Sequence, residues 1–511
     1  MTSSAVFVGG RPGGRRPRRA ATLAVTILVT LAVSVGVAVR VPAPPIAIAA
    51  GGAIFAIVVV WMFVSERKEW PLAVLALYLG LLDGFLKLAT GSSYMTLGRD
   101  ALLYAIVLGI LARAALRKER LVLPPLSGWV IAFILVVLVQ LFNPADGSVL
   151  HSLGSLRPHL EFVPLFFLGH QVLRTPKRLR RFFLILLVCA SANGIVNFVQ
   201  FSLTPQQLAS WGPGYAADIY GTNGLSGRTF TTSTGAVAVR PFGLGSDLGD
   251  GAQVGLIALG AALALVLLRP RGFEGRLSLA LAVGAPVAIF TGQGRSVVIA
   301  GVLATAFFIA LVASARRMIP ILCALVVAVL ITVLAINLVA SNSNSTIFSR
   351  YATVTPANLL STTEQSRGSS IALIPSYLTD YPLGGGLGSV GPASGFAGGS
   401  AQGLNGETQF TFYISELGIP GLLLMLLFNL KLLGGSLIRV RRLHDDSRIL
   451  IAAVATGIAG LFVEWASGPS TASSPGAPYF WFAAGVLSYW LYSRRSTRGA
   501  AVEHLYRVND G

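Results

Sequence analysis

The chain has little charge and almost no cysteine. Of its 511 residues, 12% are charged and two are cysteines, whereas soluble domains carry about 25% charged residues. This deficit excludes a soluble globular protein. Cys189 and Cys323 both lie inside apolar runs, so a disulfide framework or a thiolate metal site lacks the residues it requires. No P-loop, dinucleotide fingerprint or HExxH motif occurs, and we expect neither a cofactor nor a bound metal.

Long apolar runs dominate the sequence instead. Apolar residues make up 54% of the chain, and its mean hydropathy is +0.72. A helix crosses a bilayer with about 17–25 residues, or fewer where packing allows. The sequence therefore predicts an all-α, polytopic integral membrane protein of about 14 transmembrane helices, within a range of 12–14. The predicted spans lie near residues 20–39, 43–64, 71–89, 98–116, 125–143, 160–173, 182–203, 248–268, 277–293, 296–314, 319–340, 412–434, 449–466 and 477–492.

The basic residues are distributed unevenly between these runs. The net charge of +19 lies in short clusters, which is typical of the positive-inside rule rather than of a nucleic-acid-binding surface. With both termini in the cytoplasm, the inside holds 30 Lys and Arg against 8 Asp and Glu, and the outside holds 9 against 12. Arg greatly outnumbers Lys, as in GC-rich bacterial genomes. We expect a multi-pass protein of the bacterial cytoplasmic membrane, with no nucleic-acid partner.

The predicted topology divides the chain into four parts. A basic cytoplasmic tail (1–19) precedes an uncleaved first helix, N-terminal spans occupy 20–234, a core region covers 235–434, and the last spans and cytoplasmic tail fill 435–511. Long external loops are predicted at 144–159, 204–247 and 341–411, where binding and catalysis commonly concentrate. The Gly/Ser-rich run 384–406 in the third loop suits either a mobile lid or a disordered connector.

Nine basic residues fall on the predicted outer side, and these exceptions to the positive-inside rule are the first candidates for function. They are Arg40, Lys87, Arg99, Arg157, Arg228, Arg240, Arg295, Arg350 and Arg367. Arg295 stands in Thr-Gly-Gln-Gly-Arg-Ser between two apolar runs. Its planar guanidinium matches phosphate geometry, so we predict that it binds an anionic ligand. The alternative is a snorkelling side chain that anchors a helix end.

Arg240 and Arg367 are candidates of the same kind. Arg367 precedes a semi-apolar stretch at 371–381, and its alternative role is a surface ion pair with Glu364, which would contribute little. Arg240 has Asp247 and Asp250 close by in sequence, so an ion pair there is as plausible as ligand binding. Lone external charges therefore do not settle which arginines bind a substrate.

External acidic and histidine residues are the candidates for proton transfer. Glu407 lies at the mouth of the twelfth predicted span, where a half-desolvated carboxylate can act as a general base. It could equally be a charge favoured by the helix macrodipole. Glu416 lies two and a half turns further on, and we interpret it as structural, near a kink at 418–421. His159 is a loop or interface residue that could also supply a base.

Four stretches of the outer segments resemble motifs of one family of membrane glycosyltransferases, the O-antigen ligases and O-antigen polymerases. The resemblance covers roughly residues 235–430, and the order of the motifs is more specific than any one of them. The stretches are Arg240-Pro-Phe-Gly-Leu-Gly-Ser-Asp-Leu-Gly, Thr291-Gly-Gln-Gly-Arg-Ser, Arg367 with Tyr381-Pro-Leu-Gly-Gly-Gly-Leu-Gly, and Glu407 through Glu416-Leu-Gly-Ile-Pro-Gly.

This resemblance implies specific roles for the candidate residues. Arg295 and Arg367, with Arg240 as a third, would bind the pyrophosphate of a polyprenyl-linked glycan donor. The family's general-base histidine falls on Glu407, a departure that favours a polymerase or an uncharacterised ligase. The implied reaction is metal-independent, inverting transfer of the glycan to a hydroxyl of a glycan or lipid acceptor, at a site that faces outward.

Two other function classes remain open from the residues alone. A lipid-linked oligosaccharide flippase, or another polytopic transporter, would suit the number of spans, and its mid-membrane ionisable candidates are Asp83, Lys87 and Glu464. A peptidoglycan-type polymerase of related architecture would depend on an external aspartate such as Asp247 or Asp380.

Overall fold

The computed structural model describes residues 45–118, 123–144, 149–221, 228–231, 237–342, 369–391, 404 and 406–493. These residues are mostly helical, as the apolar runs predict. The helices are α1 (Pro45–Val64), α2 (Glu69–Leu81), α3 (Asp83–Thr90), α4 (Thr96–Leu116), α5 (Ser127–Gln140), α6 (Val149–Ser155), α7 (Arg157–Leu160), α8 (Pro164–Val172), α9 (Pro176–Phe201), α10 (Pro205–Ala209), α11 (Pro213–Tyr220), α12 (Asp250–Leu268), α13 (Gly272–Ala282), α14 (Gly284–Thr291), α15 (Arg295–Val312), α16 (Ala315–Asn342), α17 (Ser369–Ala372), α18 (Ile374–Asp380), α19 (Gln409–Arg439), α20 (Asp445–Glu464) and α21 (Gly476–Tyr492).

Seven described helical stretches are long and apolar enough to cross a membrane, and a pair bent by 44°, α2 with α3, could form an eighth. The seven are Ser93–Leu116, Pro176–Phe201, Asp250–Leu268, Gly272–Thr291, Arg295–Val312, Gln409–Arg442 and Asp446–Glu464. At other predicted spans, α5 and α21 have 14 and 17 residues, and α16 has 28 residues with Pro320 inside it. The predicted span 20–39 lies outside the described residues. The count of about 14 stays a prediction.

The described chain also contains a short β-hairpin, which the all-α prediction did not include. Strands β1 (Thr229–Thr231) and β2 (Val237–Val239) pair antiparallel, with Phe230 opposite Ala238. This hairpin lies in the predicted outer loop 204–247, before α12. It fixes the backbone on either side of it, so that Arg228 and Arg240 come to the same end of the ribbon.

Close helix packing in the bundle depends on glycine. A Cβ on Gly485 of α21 would lie 1.9 Å from the carbonyl oxygen of Phe166 in α8, and one on Gly169 would lie 2.1 Å from that of Phe482. Small residues allow helix backbones to approach in membranes, where packing rather than the hydrophobic effect drives association. The α8–α21 contact therefore depends on both glycines.

Replacing Gly485 with alanine is expected to destabilise the protein, because the added methyl group overlaps a backbone carbonyl in α8. Overpacking of this kind costs about 1–3 kcal/mol. The matched control is Gly434→Ala in α19, where an added Cβ meets nothing within 4 Å; there the change should be neutral or stabilising, since alanine is the better helix former. Thermal unfolding in detergent measures both, and equal midpoints would contradict the tight α8–α21 packing.

The polar contacts gather at two ends of the bundle. At one end Arg178 binds Glu69 and Arg180 binds Asp446. At the other end Arg157 binds Asp100. Each contact joins segments that the basic-residue pattern assigns to the same side of the membrane. We call the end that carries Arg157 and Asp100 the outer end, in accordance with the predicted topology.

Candidate functional site

Three arginines of the predicted outer side lie near one another at the outer end. Arg228 precedes β1, Arg240 follows β2, and Arg295 is the first residue of α15. The backbone N–H of Arg240 donates to the carbonyl of Arg228 over 3.4 Å. Burial, together with the charges of Arg228 and Arg295, lowers the pKa of the Arg240 guanidinium. We refer to these three residues as the arginine cluster.

One guanidinium of the arginine cluster, that of Arg240, has a buried polar atom, Nε, without a hydrogen-bond partner among the described residues. Gly294 precedes α15 and provides no side-chain cap, so the first amides of an 18-residue helix add positive potential at Arg295. Like charges held together in a half-buried place repel, and a bound anion would offset that repulsion. A phosphate group carries negative charge and can accept hydrogen bonds from a guanidinium group and from helix amides.

The carboxylates near Arg240 in sequence bind other groups. Asp247 pairs with Arg228 at 3.3 Å. Asp250 accepts hydrogen bonds from the backbone amides of Ser246 and Asp247. The anticipated ion pair of Asp247 therefore forms with Arg228 rather than with Arg240. The binding role of Arg240 stays a prediction.

Two amide side chains of α9 hold the backbone next to Arg240. The Oε1 atom of Gln200 accepts from the amides of Phe242 and Gly243, and its Nε2 donates to the carbonyl of Gly243. Asn193 accepts from the amide of Leu244. Both side chains are fully buried. They fix the segment that carries Arg240 against a membrane-spanning helix.

Glu407 lies at the start of α19 and is exposed. Thr408 caps that helix, since its side chain accepts from the amide of Thr411 in a capping box. The Glu407 carboxylate accepts a hydrogen bond from the hydroxyl of Ser370 over 3.1 Å. A carboxylate at a helix N-terminus, reachable by solvent, can accept a proton from an incoming hydroxyl. The same position also suits the macrodipole alternative.

The outer ends of α12 and α20 connect Glu407 to the arginine cluster. The amide of Gln409 donates to the carbonyl of Trp465 over 2.9 Å. The preceding residue, Glu464, accepts from Nε2 of Gln253 in α12 over 3.0 Å. The first turn of α12 packs against the α14–α15 junction, where a Cβ on Gly292 would lie 2.6 Å from that of Ala252. Arg240, Arg295 and Glu407 thus share one end of the bundle, while Arg367 lies outside the described residues.

The described part of the glycine-rich run is packed rather than lid-like. Residues 384–390 are all buried, and the amide of Gly385 donates to the carbonyl of Ser415 over 2.6 Å. Gly384, Gly386 and Gly388 have φ of 89°, 94° and 81°, a conformation that L side chains rarely adopt. Neither the mobile-lid nor the disordered-connector interpretation fits residues 384–390. The remainder, 392–403, lies outside the described residues.

Glu416 forms a buried pair with His159. Its carboxylate lies 2.5 Å from Nε2 of His159, and both side chains are about 1% exposed. Two residues further on, Gly418 interrupts α19 with φ 67°, and the amide of Ile419 donates instead to the carbonyl of Pro382. The structural role predicted for Glu416 fits this geometry, in which His159 is its buried partner.

Two other arginines of the predicted outer side, Arg99 and Arg157, form ion pairs. Arg99 binds Asp83 at 2.9 Å and Glu161 at 2.7 Å, and Arg157 binds Asp100 at 2.8 Å. These pairs close the bent α2–α3 region against α4 and α7. Arg99 and Arg157, which the sequence placed among nine external candidates, therefore have ion-pairing partners in the fold, and Arg228 of the same nine joins the arginine cluster.

Comparison with known proteins gives no relative for this chain. No family model, curated protein or solved structure matches it. Within the described residues, no group of three or more His, Cys, Asp and Glu side chains is arranged to hold a metal ion. The functional assignment therefore rests on the geometry of the outer end and on the motif order of the sequence.

Proposed function

We propose that this protein is a membrane glycosyltransferase that transfers a glycan from an undecaprenyl-pyrophosphate carrier to an acceptor hydroxyl at the outer face of the bacterial cytoplasmic membrane. The observation that carries the proposal is the arginine cluster at the end of an apolar helix bundle. A lipid with a diphosphate headgroup matches both parts, since its chain partitions into the bilayer and its phosphates meet the guanidinium groups. The motif order resembling O-antigen ligases and polymerases points to the same substrate class.

The proposed reaction is a single displacement at the anomeric carbon. The acceptor oxygen forms a bond to that carbon while the bond from carbon to the diphosphate oxygen breaks, and the electron pair leaves with the polyprenyl pyrophosphate. Arg240 and Arg295, with Arg367, stabilise the charge that develops on the leaving group. Glu407 takes the proton from the acceptor hydroxyl. The configuration at the anomeric carbon inverts.

A transporter of lipid-linked oligosaccharide is the second candidate, and one observation favours it. The 44° bend between α2 and α3 carries buried Asp83, which pairs with Arg99. Broken helices and buried charges at membrane depth are typical of transporters. Asp83, Arg99 and Glu161 are paired with one another, however, whereas Nε of Arg240 has no hydrogen-bond partner in the described part of the chain.

The two candidates make opposite predictions for purified protein in vesicles that contain lipid-linked oligosaccharide. A glycosyltransferase should yield product of higher mass and release polyprenyl pyrophosphate in equal amounts, without ATP. Mass spectrometry of the lipid and glycan fractions measures both. Movement of the oligosaccharide lipid across the bilayer, with no new glycosidic product, would identify the transporter and reject the transferase.

A further inference from the structure

Several buried amide side chains at the outer end have atoms without partners. Gln293 is 2% exposed and Gln409 is fully buried, and neither Gln293 amide atom has a hydrogen-bond partner in the described chain. The same holds for Nε2 of Gln409, Oε1 of Gln253 and Nε1 of Trp465. Buried polar groups are normally paired, so an unpaired group requires an explanation. We call Gln253, Gln293, Gln409 and Glu464 the polar floor.

Two other buried glutamines of the outer end have partners on both amide atoms. Gln200 is satisfied on both amide atoms by the Phe242–Gly243 backbone. Gln140 donates to the carbonyl of Leu383 and accepts from Asn143. These two glutamines bind backbone and thereby fix the fold. In the polar floor, Oε1 of Gln409 accepts from the amide of Thr471 over 2.9 Å. Nε2 of Gln409, Oε1 of Gln253 and both amide atoms of Gln293 have no partner in the described chain.

The polar floor lies between the two halves of the proposed catalytic site. Gln293 is two residues before Arg295, and Gln409 is two residues after Glu407. Between them, Gln253 of α12 donates to Glu464 of α20 over 3.0 Å, and Gln409 is joined to the end of α20 through the carbonyl of Trp465. These contacts place the polar floor at the same end of the bundle as Arg295 and Glu407.

We infer that the polar floor binds the hydroxyl groups of the sugar that is transferred, an inference that rests on the proposed glycosyltransferase function. A pyranose ring presents hydroxyls that donate and accept at once, and amide side chains match both roles. Glu464 accepts from hydroxyls and is already oriented by Gln253. A site whose polar groups are satisfied only by hydroxyls discriminates strongly against a ligand that lacks them.

Lipid binding measures this role separately from catalysis. The protein in nanodiscs is titrated with bare undecaprenyl diphosphate and with undecaprenyl diphosphates bearing glucose, galactose, N-acetylglucosamine or rhamnose. We expect at least one sugar lipid to bind at least about tenfold more tightly than the bare lipid, since one well-formed set of hydrogen bonds gives a difference of that order. Q293A and Q409A should each lower this ratio several-fold and leave affinity for the bare lipid unchanged.

Matched variants separate the sugar role from the phosphate role. Gln171→Ala, at the opposite end where Gln171 accepts from Lys68, should change neither affinity. Arg295→Ala should weaken both lipids. Equal binding of the bare lipid and every sugar lipid by the wild type would overturn the polar-floor inference and leave phosphate binding intact. Equal loss of both lipids in Q293A and Q409A would also overturn it, and failure of the wild type to bind any of these lipids would reject the proposed function itself.

Discussion

Arg295→Ala is expected to lower kcat/KM for glycan transfer by about 10²–10³-fold, the usual effect of removing one preorganised group that stabilises transition-state charge. Arg295 begins α15 and contributes to the lowered pKa of the Arg240 guanidinium. Its removal takes away one charge and leaves Arg240, Arg228 and the first amides of α15 as local donors. Arg295→Lys keeps the charge and loses the planar fork, so it should recover only part of the activity.

Steady-state kinetics with purified lipid-linked donor measures this effect. Arg117→Ala is the matched control, because Arg117 forms an exposed ion pair with Glu66 at the opposite end of the bundle. That variant should transfer glycan at the wild-type rate. Wild-type kcat/KM in folded Arg295→Ala would remove Arg295 from the phosphate site and leave the helix-anchor interpretation.

Glu407→Gln is expected to lower kcat by about 10²–10⁴-fold, the range that a positioned general base contributes. The substitution is nearly isosteric, so the hydrogen bond with Ser370 and the Thr408 cap can persist. The KM for the donor should stay close to the wild-type value, because Glu407 acts on the acceptor. A change in kcat without a change in donor KM separates loss of the base from loss of binding.

The same kinetic assay with Asp380→Asn provides the control. Asp380 is another exposed carboxylate of the predicted outer loop, and its described hydrogen bond comes from the neighbouring Thr379. Its substitution should have little effect on transfer if Glu407 is the base. Full activity of Glu407→Gln would exclude Glu407, and loss of activity in Asp380→Asn alone would favour the peptidoglycan-type mechanism.

The sequence predicted the helices well because apolar runs of spanning length leave few alternatives in a bilayer. It did not predict the break at Leu82, where the run 71–89 divides into α2 and α3 at a 44° angle. Hydropathy averages over such a run, whereas Asp83, the first residue after the break, forms a tertiary ion pair with Arg99. The hydropathy pattern of a segment does not predict its tertiary contacts with another segment.

The distribution of charged residues pointed to the arginines of the candidate site, but it could not point to the neutral glutamines beside them. Arg240 and Arg295 stood out because they violate the positive-inside rule. Gln253 and Gln293 are neutral, so no count of charge marks them, and their significance comes from burial without partners. The buried pair of His159 with Glu416 joins residues 257 positions apart, a separation that sequence spacing alone cannot connect.

The buried segment 384–390 has a consequence for how the chain can vary. Its backbone is joined to α19, because the amide of Gly385 donates to the carbonyl of Ser415 and a Cβ on Gly384 would lie 2.8 Å from the carbonyl oxygen of Glu416. Gly384 also has a φ of 89°, a conformation that L side chains rarely adopt. Substitutions at Gly384 are therefore opposed twice, by the backbone conformation and by the contact with α19, so this position should vary less than exposed positions of the outer end.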